Sequence, residues 1–195
     1  MSRAWKSLAV FFAFVAIYTV SRHTVHSGVT PSTSSTTSVL TSTSTVIDAQ
    51  TTCLGSDFRG VFNQGQGAAG TIYASVTLKK ITTGSCTIKG WPVLTLQDRT
   101  GGVLVSTPHN VPDGGAPLTF TDSRANKAPS LVTEFMNSTT SFSLAYSDVP
   151  TNAATCPDAV NIAVAFKSGG SVVSVTPSFP VAPCNNGTLW LSPFY

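Results

Sequence analysis

The sequence predicts an all-β protein, an antiparallel β-sandwich of about seven to eight short strands, and three observations carry that reading. Apolar residues recur at every second position, as one face of a strand requires, and a 3.6-residue period is not found. Gly, Pro and Asn punctuate these segments at turn spacing. Hydrophobic residues make up 42% of the 195-residue chain, enough to fill one core, while only 10% are charged.

The strands follow in order. Between Thr71 and Lys79, Ile72, Ala74, Val76 and Leu78 share one face, and Tyr73, Ser75 and Thr77 share the other. Leu94 and Leu96 define a strand from Trp91 to Gln97, and the Gly101-Gly102 pair reads as a tight hairpin into Val103–Ser106. Leu131 and Thr133 precede a break at Asn137-Ser138, after which Phe142, Leu144 and Tyr146 align. Val160, Ile162, Val164 and Phe166 alternate up to the Ser168–Ser171 turn, Val172–Val175 returns, and Leu189–Leu191 ends the series. No helix longer than a turn is needed in this body.

A different composition precedes it. Arg3 and Lys6 stand before the apolar run Ser7–Val20, the layout of an export signal. Fourteen helical residues reach about 21 Å against a hydrocarbon core of about 30 Å, and residues 4–20 come nearer to spanning. Cleavage and retention as an N-terminal anchor are both open, with the body outside in either case. Residues 1–28 are therefore expected to be the signal or anchor. Residues 29–52 form a linker in which 13 of the 16 residues from Thr30 to Thr45 are Ser or Thr. Such a stretch has little to bury and suits a flexible or O-glycosylated stalk. Residues 38–47, rich in β-branched side chains, could instead be lent as a strand to another copy. The sandwich is expected over residues 53–195.

Cys53, Cys86, Cys156 and Cys184 make an even set, which in an exported chain reads as two disulfides. Three pairings are open at this point. The sequential one would close two loops worth about 3.5 kcal/mol each in the chain-entropy model. Spacings of 33, 70 and 28 contain no metal knuckle, so no metal is expected. Eight cations and eight anions follow Arg22, without clusters, which argues against nucleic acid.

Catalytic chemistry is hard to assemble from what remains. His109 is the one histidine beyond residue 26 and lies among turn formers. No nucleophile elbow, metalloprotease pair, phosphate loop or other cofactor motif occurs. The carboxylates Asp57, Asp98, Asp113, Asp122, Glu134, Asp148 and Asp158 are widely spaced, and Met136 alone is too little for a soft copper site. No catalytic residue is assigned. Aromatic residues off the core parity are the better clue: Tyr73, Trp190, Phe194 and Tyr195 form a candidate binding surface, unless the second sheet or the 116–129 loop covers them. Asn137 and Asn186 head N-glycosylation sequons in expected turns.

Several of these segments together resemble a known family. Gly67-Ala68-Ala69-Gly70-Thr71, Cys86-Thr87-Ile88-Lys89-Gly90-Trp91-Pro92, Leu94–Asp98 with Gly101-Gly102, Cys156–Val164, and Cys184 with Leu189–Phe194 are similar to the exported actinobacterial domain of unknown function 4232. The resemblance spans nearly all of 53–195. It implies an immunoglobulin-like sandwich with sequential disulfides on an exported or anchored chain, and it brings no activity. Met136-Asn137-Ser138 replaces a Pro-Gly turn of that family, and Ala116–Pro129 reads as a loop of its own.

The function expected is that of a non-catalytic secreted or cell-surface interaction module. Its partner would be a protein or glycan, with membrane attachment through residues 4–20 if they are retained. The alternative is a filament subunit that self-associates by donating residues 38–47. A hydrolase built around His109 comes third.

Overall fold

The computed structural model describes residues 51–112, 118–151 and 155–195. The signal or anchor, the lent strand 38–47 and all of the stalk before Thr51 lie outside the described residues. Among those described, the chain is all-β, with ten strands in chain order: β1 (Phe58–Ala68), β2 (Thr71–Lys80), β3 (Cys86–Ile88), β4 (Val93–Gln97), β5 (Thr107–Asn110), β6 (Val132–Glu134), β7 (Thr139–Ser147), β8 (Asn161–Ala165), β9 (Val172–Val175) and β10 (Thr188–Leu191). None of the described helices is long and apolar enough to cross a membrane.

The strands form a five-stranded sheet ordered β1-β2-β7-β10-β5, a three-stranded sheet β4-β8-β9 and a small pair β3-β6. One apolar cluster joins them. Val76, Leu78, Phe142, Leu144, Leu189 and Leu191 enter it from the first sheet, and Leu96, Ile162, Val164, Val173 and Val175 from the second. Two-residue alternation makes this possible, because Tyr73, Ser75 and Thr77 then point away from the same layer.

Several expectations need correction. Ten strands replace seven or eight, and β5 runs parallel to β10 inside an otherwise antiparallel set. Val103–Ser106 does not form the second arm of a hairpin beyond one bridge, Val103 to Gln97. Val103 and Val105 remain 71% and 73% exposed, and pairing starts only at Thr107, beside β10. The parallel pair depends on Asn185, Asn186 and Gly187, three successive left-handed residues that swing the chain from Cys184 into β10. A Cβ on Gly187 would stand 2.1 Å from the Val105 carbonyl oxygen, so glycine is required there. Strand β1 carries too few apolar residues to announce itself. Its inward positions are Phe58, Gly60 and Phe62, and a Cβ on Gly60 would meet Val175 Cγ2 at 2.4 Å, so β1 gains its place by close approach to β9.

The cysteines pair sequentially, Cys53 with Cys86 and Cys156 with Cys184. The first bridge ties the segment before β1 to the small sheet, where Thr52 bridges to Thr87. Two disulfides fit an oxidising, extracellular environment.

Among the described residues, Lys80 and Glu134 are the buried charged side chains. The Lys80 ammonium is held by the Thr82 hydroxyl at 2.6 Å and the Thr82 carbonyl at 3.0 Å. Thr82 in turn donates to Asp57 at 3.1 Å. Glu134 is buried and accepts from the Ser138 hydroxyl.

Candidate functional site

The outer face of the five-stranded sheet carries the features of a site. Register places Tyr73 beside Ala145, Ala145 beside Trp190, and Trp190 beside His109, so one row of side chains crosses four strands. The His109 ring stacks on Trp190 at 6.3 Å, which accounts for it as an exposed edge residue. A second row joins Asn63, Ser75 and Ser143 across β1, β2 and β7.

The segment from Leu118 to Asn126 folds over the centre of this face. Phe120, Ala125, Val111 and Ala145 form a second, smaller apolar cluster, with Tyr73, Trp190, Leu118 and Tyr195 packed against it. Ala145 is small, and that leaves room for the covering residues. The segment holds its shape locally. Asn126 accepts from the Phe120 amide at 2.8 Å and donates to the Phe120 carbonyl at 2.7 Å. Asp122 caps the short 3-10 turn Ser123–Asn126 by accepting from the Arg124 amide at 2.9 Å. The Arg124 guanidinium forks the same carboxylate at 3.1 and 2.7 Å and lies 4.7 Å over the Tyr195 ring.

Between this cover and the edge of the sheet lies a groove of about 640 Å³. Strand β1 forms one wall with Asn63, Gln64 and Gln66, Phe120 to Asp122 form the other with Tyr195, and Tyr73, Ser75 and Ser143 rise from β2 and β7. The Tyr195 hydroxyl is 2.8 Å from the Ser143 hydroxyl. Burial raises the Tyr195 phenol above its ordinary value despite that hydrogen bond. The fork from Arg124, mainly its side-chain hydrogen bonds, holds the Asp122 carboxyl below its ordinary value.

A β-bulge shapes the near wall. Gln64 pairs with Ala74 and Gly67 with Ile72, so Gly65 and Gln66 together oppose Tyr73. A Cβ on Gly65 would stand 2.1 Å from the Tyr73 carbonyl oxygen, which glycine alone avoids. Gly65-Gln66-Gly67 is thus not a turn, as its composition suggests, but a bent strand that lines the groove.

Of the aromatic residues expected at a surface, Tyr73, Trp190 and Tyr195 share this outer face, partly covered by the 118–126 segment. Phe194 does not. It is 2% exposed in the main core, with Phe142 and Phe166 rings at 5.6 and 5.3 Å. Its backbone explains the difference: the Phe194 amide donates to the Gly90 carbonyl, and Tyr195 exchanges two backbone hydrogen bonds with Ser141, so the chain after β10 stays fastened beside β7. The sequence marks Asp122 only as one of several scattered carboxylates and gives no site role to Asn63, Gln64, Gln66, Ser75, Phe120 or Ser143. A Gly inside an alternating pattern was the one available signal for the bulge. Asn137 and Asn186 lie exposed on left-handed turns. Among the described residues, no group of three or more His, Cys, Asp or Glu is gathered as metal ligands would be. Asp98 is committed to its hairpin, accepting from Thr100 and Gly102.

Comparison with protein-family models, with curated proteins and with solved structures finds no match for this chain.

Proposed function

We propose that this is an exported, non-catalytic interaction module of immunoglobulin-like type, carried outside a membrane on the Ser/Thr-rich linker and binding its partner through the outer face of the five-stranded sheet. The observation that carries the reading is the groove beside Tyr73: an open, aromatic and amide-lined hollow floored by paired strands and closed on its far side by Phe120 to Asp122. Two disulfides support the compartment, and the apolar run before the linker supports export. Kinship with the exported family 4232 is part of the proposal, supported by motif correspondence and by the sequential cysteine pairing.

The test is saturable binding of the fluorescently labelled full chain to envelope fragments of its source organism. Saturation is the expected result, weakened in the Tyr73→Ala, Gln66→Ala double variant. Linear, non-saturable uptake or no uptake rejects the module.

One observation favours the filament reading as well: β1 is an edge strand, eleven residues long, with Val61 exposed. A lent 38–47 strand would require polymers that vanish when residues 30–50 are deleted, whereas the module requires that the deleted chain stay folded and keep its binding.

A further inference from the structure

We infer that the groove binds a neutral carbohydrate; the inference rests on the module reading and narrows its ligand. Charge comes first. Of the described residues lining the groove, Asp122 alone has a charged side chain, and Arg124 already forks its carboxylate. An anionic ligand would therefore meet one carboxylate and no free cation, and a cationic ligand would have to displace Arg124.

The polar groups next to it are uncommitted. Among the described residues, the side chains of Gln64, Gln66, Ser75 and Thr121 and the Tyr73 hydroxyl make no hydrogen bond. Planar amides offer a donor and an acceptor side by side, the pattern that adjacent sugar hydroxyls complement. Aromatic rings supply apolar faces for the C–H side of a pyranose while their hydroxyls stay wet. The groove has both kinds of group within one hollow. Its volume of about 640 Å³ lies inside the about 300–1,000 Å³ usual for small-molecule sites.

A peptide fits less well. Extended peptides gain affinity by continuing the backbone ladder of a free strand edge. Where β1 borders the groove, the bulge at Gly65 and Gln66 interrupts that ladder. An apolar ligand would leave several amides and hydroxyls unpaired.

The experiment is saturation-transfer-difference NMR on the full chain in detergent. The probes are soluble oligomers of glucose, mannose, galactose and N-acetylglucosamine, with a sulfated heparin fragment and an extended peptide pool as contrasts. At least one neutral oligomer should bind at millimolar concentration, insensitively to salt. Gln66→Ala, an exposed side chain outside the core, should weaken it by about fivefold or more, and Tyr73→Phe by a similar factor without disturbing the Phe120 contact. Binding confined to the sulfated fragment or to peptides overturns the inference. So does neutral-sugar binding untouched by both variants, since the ligand then sits elsewhere. Saturable envelope binding with no response to any neutral oligomer overturns the carbohydrate and keeps the module. Failure in both assays overturns both.

Discussion

The guanidinium of Arg124 lies 4.7 Å over the ring of Tyr195 while its nitrogens fork Asp122. Tyr195 belongs to the sheet through its two bonds with Ser141, so this stack fastens the 118–126 cover to the layer beneath. The guanidinium is solvated, and water screens an exposed pair of this kind so that it adds little to global stability. Arg124→Ala should thus leave the midpoint of global unfolding by urea close to that of the parent. Amide exchange should change locally instead, with the Phe120 and Arg124 amides losing protection while Val76 and Leu144 keep theirs.

Phe194 and Phe179 offer opposite expectations from the same residue type. Phe194 is 2% exposed between Phe142 and Phe166, whereas Phe179 is 65% exposed. Truncating a buried Phe removes its transfer energy and leaves a cavity, about 3–5 kcal/mol. Phe194→Ala should lower stability by that amount, and Phe179→Ala should stay within about 0.5 kcal/mol in the same denaturation series.

Phe194 also marks where sequence reasoning stops. Strands that alternate cleanly, such as Thr71–Lys80 and the Phe142, Leu144, Tyr146 face, are legible because one face of each must be buried. The cysteine pairing was one of three allowed and became legible only through the family resemblance. A terminal Pro-Phe-Tyr has too few positions to reveal a period, so its pairing with Gly90 and Ser141 leaves no pattern to read. Strand β1 fails for another reason: its glycines replace the apolar residues that packing against β9 would otherwise demand. The groove is less legible still. Asn63, Ser75 and Ser143 adjoin by register across three strands that are distant in sequence, and Ala145 is buried on the outer face because a loop covers it. That loop is separable as a segment of its own, and it is one of the two covers the sequence allows for the Tyr73, Trp190 and Tyr195 face; its contacts with Ala145 and Val111 leave no sequence signal.

Gly65 provides a stringent check on the groove. Its Cβ would collide with main-chain atoms of Tyr73, at 2.1 Å from the oxygen and 2.9 Å from the carbon, and backbone cannot step aside as a side-chain tip can. Gly65→Ala should cost about 1–3 kcal/mol and perturb Tyr73 amide shifts. Gly84→Ala makes the comparison informative. Gly84 has φ +78° but nothing within 4 Å of its Cβ, so only the left-handed strain of about 1 kcal/mol applies. Should the two variants unfold alike, with Tyr73 shifts unmoved, the bulge geometry would be wrong.

Acid should act on two loops before it acts on the core. The Asp98 carboxyl is held below its ordinary value of 3.8 by the Thr100 hydroxyl first and by the Gly102 and Thr100 amides next. Asp122 is held below 3.8 by the Arg124 fork. A carboxyl depressed in the folded state binds fewer protons there than in the unfolded chain. Its support is therefore complete above about 3.8 and disappears as the pH falls through the lower folded value. Both groups are solvated, so the loss should register as loosening rather than unfolding. In an NMR titration from neutral to strongly acidic buffer, the amides of Thr100, Gly102 and Arg124 should shift below pH 3.8, while those of Val76, Leu144 and Ile162 stay fixed. Releasing Arg124 from Asp122 also frees the wall of the groove, so affinity for a neutral ligand should fall over the same acidic interval, although neither sugar nor amide titrates there. Affinity constant through that interval would separate the Asp122 wall from binding and leave the β1 and β2 side chains as its source.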